Sequence, residues 1–375
     1  MITGLNTGGA ETALCRLLES LPPPHFAHVV VALGPEAALS TRVAKVAALH
    51  HLGMRAGRLH LGDLLRLRSI LRRVQPDVIQ GWMYHANLMA TLAVMGLSVP
   101  TVWGIRQTLY SLDHEKAGTR WVIRACAQLS RRPARIVYNS QLSRTQHVKL
   151  GFHDSRALII PNGFDTRAFM HNPDTRSRVR AEFGISEDTV AIGLVARMHA
   201  MKDHANFLCA AARFVTDHTN VEFFLVGDGV DGSSPELMRL VNELQLQSKV
   251  RLCGHRTDIA AINNALDIAS LSSAWGEGCP NAIGEAMACG TPCVATDIGD
   301  VRAIIGDTGV VVPPRDPDAL SKGWSKLFAL GTEGRRTLGE CARQRIASHY
   351  SLAANAAAYA ELYRSLVRRP ETCAA

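Results

Sequence analysis

Glu277 and Glu285 stand eight residues apart, with Gly278, Pro280 and Asn281 between them, in the chain's densest cluster of residues suited to chemistry. An apolar run ends near Ser272, a glycine-containing loop follows, Pro280 falls where a first helical turn begins, and Gly290 falls where that helix stops. A strand, a loop and a helix in that order turn backbone N–H groups and the positive end of the helix toward an anion. Glu277 precedes the helix and Glu285 lies about a turn and a half inside it, so the two carboxylates reach different parts of one extended ligand.

A second glycine pattern competes. Gly227-Asp228-Gly229-Val230-Asp231-Gly232 is a literal G-x-G-x-x-G after an apolar run, with a helical pattern from Pro235, as an NAD(P)-dependent oxidoreductase would need. Asp228 and Asp231 count against it, because they put negative charge beside a pyrophosphate. The next run leads into Cys253-Gly254-His255-Arg256, which offers no acid for a ribose. Nine cysteines occur without a Cys-x-x-Cys pair, so neither a zinc knuckle nor a disulfide framework is indicated, and a reducing compartment fits.

The elements that must position these residues follow from length and pattern. A chain of 375 residues exceeds one hydrophobic core, and 47% apolar with 20% charged residues is globular composition. Short apolar runs at 29–33, 78–80, 101–103, 135–138 and 158–160, then at 190–195, 221–226, 250–252, 268–271 and 292–295, alternate with helical patterns. That alternation predicts an α/β fold of two doubly wound parallel sheets, with ligands held outside the carboxyl ends of the strands. Residues 171–188, with Pro173, Asp174, Arg176, Arg178 and Arg180, suit an exposed connection between the halves. Residues 81–105 carry no formal charge but parse as a buried helix near 87–97, a loop and a short strand rather than a membrane span.

Of the net charge of +8, all the excess lies in the first half: residues 1–165 hold 19 Lys+Arg against 9 Asp+Glu. Arg66, Arg68, Arg72 and Arg73 crowd one helical stretch, and Arg131, Arg132 and Arg135 another. Such a half is drawn to anionic surfaces, and a non-catalytic anionic-surface binder is a further alternative. Nucleic acid is disfavoured, since no recognisable motif and little aromatic interleaving accompany the arginines.

Glu277 and Glu285 with their intervening residues resemble the Glu-x7-Glu signature of the retaining glycosyltransferases of family 4, and the likeness spans nearly the whole chain. Gly8-Gly9-Ala10-Glu11 resembles that family's glycine loop, Ile160-Pro161-Asn162-Gly163-Phe164-Asp165 the segment ending its N-terminal domain, and Arg197 with Lys202 its basic pair. The resemblance implies a GT-B fold, two Rossmann-like domains facing each other across a cleft. It divides the chain into an acceptor-side domain (1–168), a sugar-nucleotide-binding domain (169–350) and a C-terminal helix (351–375) that could pack back on the first domain. Only Met1-Ile2-Thr3 precedes Gly4, so the first strand reads as clipped.

The same resemblance implies the site. Gly8, Gly9, Arg197 and Lys202 meet the diphosphate, where departing negative charge calls for fixed cations and amide donors. Glu277 with His85 contacts the donor sugar, Glu285 holds the ribose hydroxyls, and Gly278, Cys279, Pro280 and Asn281 line the donor. Cys279 stands where an aromatic is common. Arg106, after the run at 101–103, is a weaker candidate for acceptor or phosphate contact, a solvated loop arginine being the plainer reading. No cofactor and no divalent metal are implied. The partners are a sugar nucleotide and a glycan or lipid-linked acceptor, and the place is the cytoplasm, with peripheral contact on the anionic inner face of the plasma membrane.

Overall fold

The computed structural model describes residues 1–54, 60–109 and 111–367. The chain divides into two compact units, residues 1–163 with the C-terminal helix, and residues 164–351.

The first unit is a parallel α/β layer. Strands β1 (Val29–Ala32) and β2 (Ala48–His51) pair with each other, and β3 (Ile79–Trp82), β4 (Thr101–Ile105), β5 (Arg135–Tyr138) and β6 (Ala157–Ile159) pair in that order. Where a clipped first strand is expected, the buried Ile2 alone joins the two groups, pairing in parallel with Ala32 on one side and Trp82 on the other. The helix Leu352–Leu366 completes this unit by packing against the helix Gly9–Ser20, where Tyr359 and Leu362 bury with Leu14, Leu18 and Trp82.

The second unit is a six-stranded parallel sheet. Strands β7 (Val190–Val195), β8 (Val221–Val226), β9 (Val250–Leu252), β10 (Ile268–Leu271), β11 (Cys293–Thr296) and β12 (Gly309–Val312) take the order β12-β11-β10-β7-β8-β9. The chain moves outward one way from β7 to β9, then returns to lay β10 on the other side of β7. The connections leaving β7 and β10 therefore diverge, and a crevice opens at their carboxyl ends. Phe207, Phe214, Phe223 and Trp324 fill one face of the sheet edge to face, and Leu271, Ile283 and Met287 fill the other. Each such aromatic contributes about 2–3 kcal/mol by leaving water.

Three expectations differ from the structure. The units divide at 163/164 and 351/352 rather than at 168/169 and 350/351, because Phe164 and Phe169 bury in the second unit's core. Residues 368–375 of the expected C-terminal segment lie outside the described residues. The polar stretch 171–188 is not a linker: it holds the helix Pro173–Glu182, capped by Asn172, whose side chain accepts from Thr175 N at 2.9 Å. Two of its charges point inward: Arg180 is 1% exposed and donates to Asp267 Oδ2 at 3.0 Å, and Arg176 takes Asp267 Oδ1 at 2.9 Å, while Asp174 and Arg178 stay exposed. The helix expected near 87–97 is Tyr84–Ala93. Among the described residues no helix is long and apolar enough to cross a membrane.

Candidate active site

The turn after β7 is fixed by its neighbours before any ligand arrives. Ala196 N donates to Val226 O at 2.8 Å and Met198 N to Asp228 O at 2.7 Å, so the ends of β7 and β8 hold each other. Gly227 makes this possible: a Cβ there would strike the Ala196 carbonyl and the Arg197 nitrogen. The first glycine of the G-x-G-x-x-G thus serves close packing of two turns, and that use accounts for it without a dinucleotide. Arg197 is exposed at the end of β7, and the helical turn Ala200–Lys202 follows. His199 caps that turn, its Nδ1 accepting from Met201 N at 3.2 Å. Burial, then the nearby Arg197 and Lys202 charges, hold its imidazole below the ordinary range and favour the neutral ring.

Lys202 and Glu277 meet across the switch point. Lys202 Nζ donates to Glu277 Oε1, and Ser273 Oγ donates to the same oxygen at 2.8 Å. The two loops are stitched further by Ser272 Oγ to Lys202 O at 2.8 Å and Ala274 N to Met201 O at 2.8 Å. Glu277 is 8% exposed, a buried carboxylate made tolerable by a cation and a hydroxyl. Lys202 has three N–H donors and spends one here, so its charge is held in place with donors left for an anion.

The loop carrying Glu277 is also held from behind. Asp300 N donates to Gly278 O at 2.8 Å, and Gly299, at φ +64°, lets the backbone press against the carbonyls of Glu277 and Gly278. Pro280 is the N-cap of the helix Asn281–Ala288, one residue outside the place expected for it, and Gly290 follows the helix at φ +80°. Pro280 has no N–H to offer at the start of this helix. The Cys279 side chain buries with Ile283 and Val301. Glu285 sits half-buried in the second turn of the helix.

Four expected residues, Gly8, Gly9, His85 and Arg106, belong to the first unit. Gly8 is the N-cap of the helix Gly9–Ser20, and the Glu11 side chain folds back against it, so a carboxylate already occupies that helix start. Burial raises the Glu11 carboxyl above its usual range. Glu11 is read from the sequence only as part of the glycine loop and is given no role there, although an acid in the first helical turn is the standing signal for such a fold-back. His85 lies in the first turn of Tyr84–Ala93, half-buried, and desolvation lowers its pKa despite the opposing charge of Glu115. Arg106 is not a solvated loop arginine: it bonds Tyr359 and Asn162 inside the unit.

One Asp-x-Asp occurs in the chain, Asp316-Pro317-Asp318. It escaped the sequence reading, and its side chains are engaged in the fold. Asp316 caps the helix Pro317–Ala329 by accepting from Ala319 N at 2.9 Å, and Asp318 pairs with Arg213 at 2.7 Å.

Comparison with known proteins bears on the family and the fold. The family model described as Glycosyltransferase Family 4 matches residues 7–168, and the one described as Glycosyl transferases group 1 matches residues 189–329. A D-inositol 3-phosphate glycosyltransferase of Corynebacterium urealyticum is 29% identical over 69% of this chain, which spans 62% of that relative's length. A UDP-Gal:alpha-D-GlcNAc-diphosphoundecaprenol alpha-1,3-galactosyltransferase of Escherichia coli is 23% identical over 69% of this chain and 68% of its own. Among solved structures, Anabaena Alr3699/HepE in complex with UDP superposes with a TM-score of 0.85 at 21% identity, over 97% of this chain and 98% of that one. WaaG, a glycosyltransferase involved in lipopolysaccharide biosynthesis, gives 0.75 at 16% identity, with the same coverage. These likenesses give the chain the GT-B fold.

Proposed function

The chain belongs to glycosyltransferase family 4, and on that premise we propose that it is a retaining hexosyltransferase, moving a sugar from a nucleoside-diphosphate sugar to a glycan or lipid-linked acceptor in cell-surface polysaccharide synthesis. The observation that carries the reading is the Lys202–Glu277 pair at the switch point of the second sheet, buttressed by Ser273.

Breaking the bond between a sugar and a diphosphate leaves negative charge on the departing group. Lys202, oriented by Glu277, and the exposed Arg197 are assigned to meet that charge, which in a partly dry crevice is worth several kcal/mol of barrier. Glu277 is assigned to the donor sugar and Glu285 to the ribose, with the backbone of Gly278, Cys279 and Asn281 facing the donor. Gly8, Gly9 and His85 are proposed as further donor contacts, each to be tested by its own substitution. The site is proposed to work without a divalent metal. UDP and UDP-glucose are bound in the structures of HepE, which supports a sugar nucleotide as donor.

A thermal-shift screen of sugar nucleotides tests the reading, because a ligand that binds only the folded chain raises the melting point. A rise with at least one sugar nucleotide is expected, and it should vanish in Glu285→Ala. A rise with NAD and with no sugar nucleotide would return the chain to the oxidoreductases, and transfer that needs added metal would refute the metal-free site.

A further inference from the structure

Strands β3 and β4 of the first unit pair in parallel, Trp82 beside Gly104, so the turns that follow them leave the sheet side by side. His85 stands just past the first of these strands and Gln107 just past the second. The helices Tyr84–Ala93 and Ala117–Leu129 pack against each other, and Glu115 lies in the turn that enters the second of them. The topology therefore brings an imidazole, an amide and a carboxylate to one end of this sheet.

The carboxylate is held in place. Gln107 O accepts from Ser143 Oγ at 2.7 Å and Leu109 N donates to Gln146 Oε1 at 2.8 Å, so the helix Gln141–Lys149 fixes the turn after β4. From that turn Gln107 Nε2 donates to Glu115 Oε1 at 3.1 Å. Glu115 is half-buried, and its charge is felt at the His85 ring and at the buried Tyr84 hydroxyl. Among the described residues no cation pairs with it, whereas the nearby Asp113 has Arg120 at 3.6 Å. Arg106, which leaves the same turn as Gln107, is engaged with Tyr359 and Asn162. A carboxylate offers about four lone-pair sites, and the Gln107 amide takes one. Hydroxyl groups fill the others without bringing charge, whereas a second carboxylate or a phosphate would meet like charge at close range.

We infer that Glu115 is a specificity-determining residue: it accepts a hydroxyl of the sugar that meets His85 and restricts that sugar to an uncharged hexose. The inference deepens the proposed function and rests on it in placing the donor sugar at His85.

Titration calorimetry tests it with two matched pairs, UDP-glucose against UDP-glucuronate and GDP-mannose against GDP-mannuronate, and with UDP and GDP alone. In the wild type the better-bound hexose nucleotide should exceed its uronate in affinity by about tenfold or more. Glu115→Gln should weaken that hexose nucleotide by about tenfold and narrow its margin over the uronate. The bare nucleotide should bind the variant as it binds the wild type, which also shows that the variant is folded. If the variant loses the bare nucleotide as well, the wild-type comparison of hexose with uronate decides alone. A uronate bound as tightly as its hexose by the wild type would overturn the inference and leave the proposed transfer reaction standing. So would a hexose nucleotide bound by folded Glu115→Gln as tightly as by the wild type. Binding of none of these compounds to the wild type would overturn the proposed function, and the inference would fall with it.

Discussion

The guanidinium of Arg106 lies over the indole of Trp82, 4.6 Å from the ring centroid, and donates to the Tyr359 hydroxyl at 3.1 Å. One side chain thereby links the ends of β3 and β4 to the helix Leu352–Leu366. Trp82 extends the link by donating from Nε1 to Ala10 O at 2.8 Å, in the first turn of Gly9–Ser20. Arg106→Ala should destabilise the first unit by about 2 kcal/mol, from the lost cation–π contact and two hydrogen bonds. Urea denaturation measures the size, and faster tryptic release of the C-terminal helix locates it. An unchanged midpoint with unchanged cleavage would reduce Arg106 to a loop charge.

Lys202 and Glu277 should behave as one unit in catalysis. Lys202→Ala leaves a buried carboxylate without its cation, and Glu277→Gln leaves the cation unoriented. Each is expected to slow sugar transfer by about a hundredfold or more. The double substitution should cost little more than either single one, because the second change removes a partner already lost. Steady-state rates of the three variants decide this, and losses that multiply would mean that the two side chains act separately.

Arg180 should be among the most costly side chains to remove from the second unit. Its guanidinium donates to Asp267 Oδ2 at 3.0 Å, Ala265 O at 3.1 Å and Thr189 O at 2.6 Å from a site almost closed to water. Arg180→Met leaves Asp267 with half its charge partners and is expected to cost about 3–5 kcal/mol. A guanidinium chloride midpoint that does not move would show that the network contributes no net stability.

Acid should destabilise both units through buried neutral imidazoles. His147 donates from Nδ1 to Ser143 O at 2.7 Å and its Nε2 accepts from the Tyr84 hydroxyl at 2.7 Å, while burial lowers its pKa from 6.5 to about 4. Burial lowers His204 likewise to about 4. Above 6.5 neither state of the chain takes up a proton at these rings, so they add no pH dependence there. As the pH falls from 6.5 toward about 4, the unfolded chain binds protons that the folded chain refuses, and on the order of 3 kcal/mol is lost for each ring. Urea midpoints followed down to about pH 4 should show a shallower acid limb in His147→Gln than in the wild type, and identical limbs would refute the assignment.

Much of the fold was legible because parallel strands buried on both faces leave apolar runs in the sequence, as β7 and β8 do. Two edge strands, β2 and β12, escaped, while the edge strands β6 and β9 were read. Ala-Leu-His-His of β2 lacks an apolar run, whereas Gly-Val-Val-Val of β12, bounded by two prolines, carried a signal that was passed over. The stretch 171–188 was misread because composition records charges but not their partners, and Asp267, which holds Arg176 and Arg180 inside, lies far along the chain. The candidate site was legible as a set of residue types. The pairing of Lys202 with Glu277 was not, since 75 residues separate them and only the reversal of strand order between β7 and β10 brings them together.

The first unit is discontinuous in sequence, closed by a helix that begins at Leu352, whereas the second is continuous from 164 to 351. During synthesis the ribosome therefore releases the whole of the second unit before the first can be completed. Until the last helix emerges, the apolar surface of Leu14, Leu18 and Trp82 that it covers stays open to water, and the nascent chain is most exposed to aggregation in that interval.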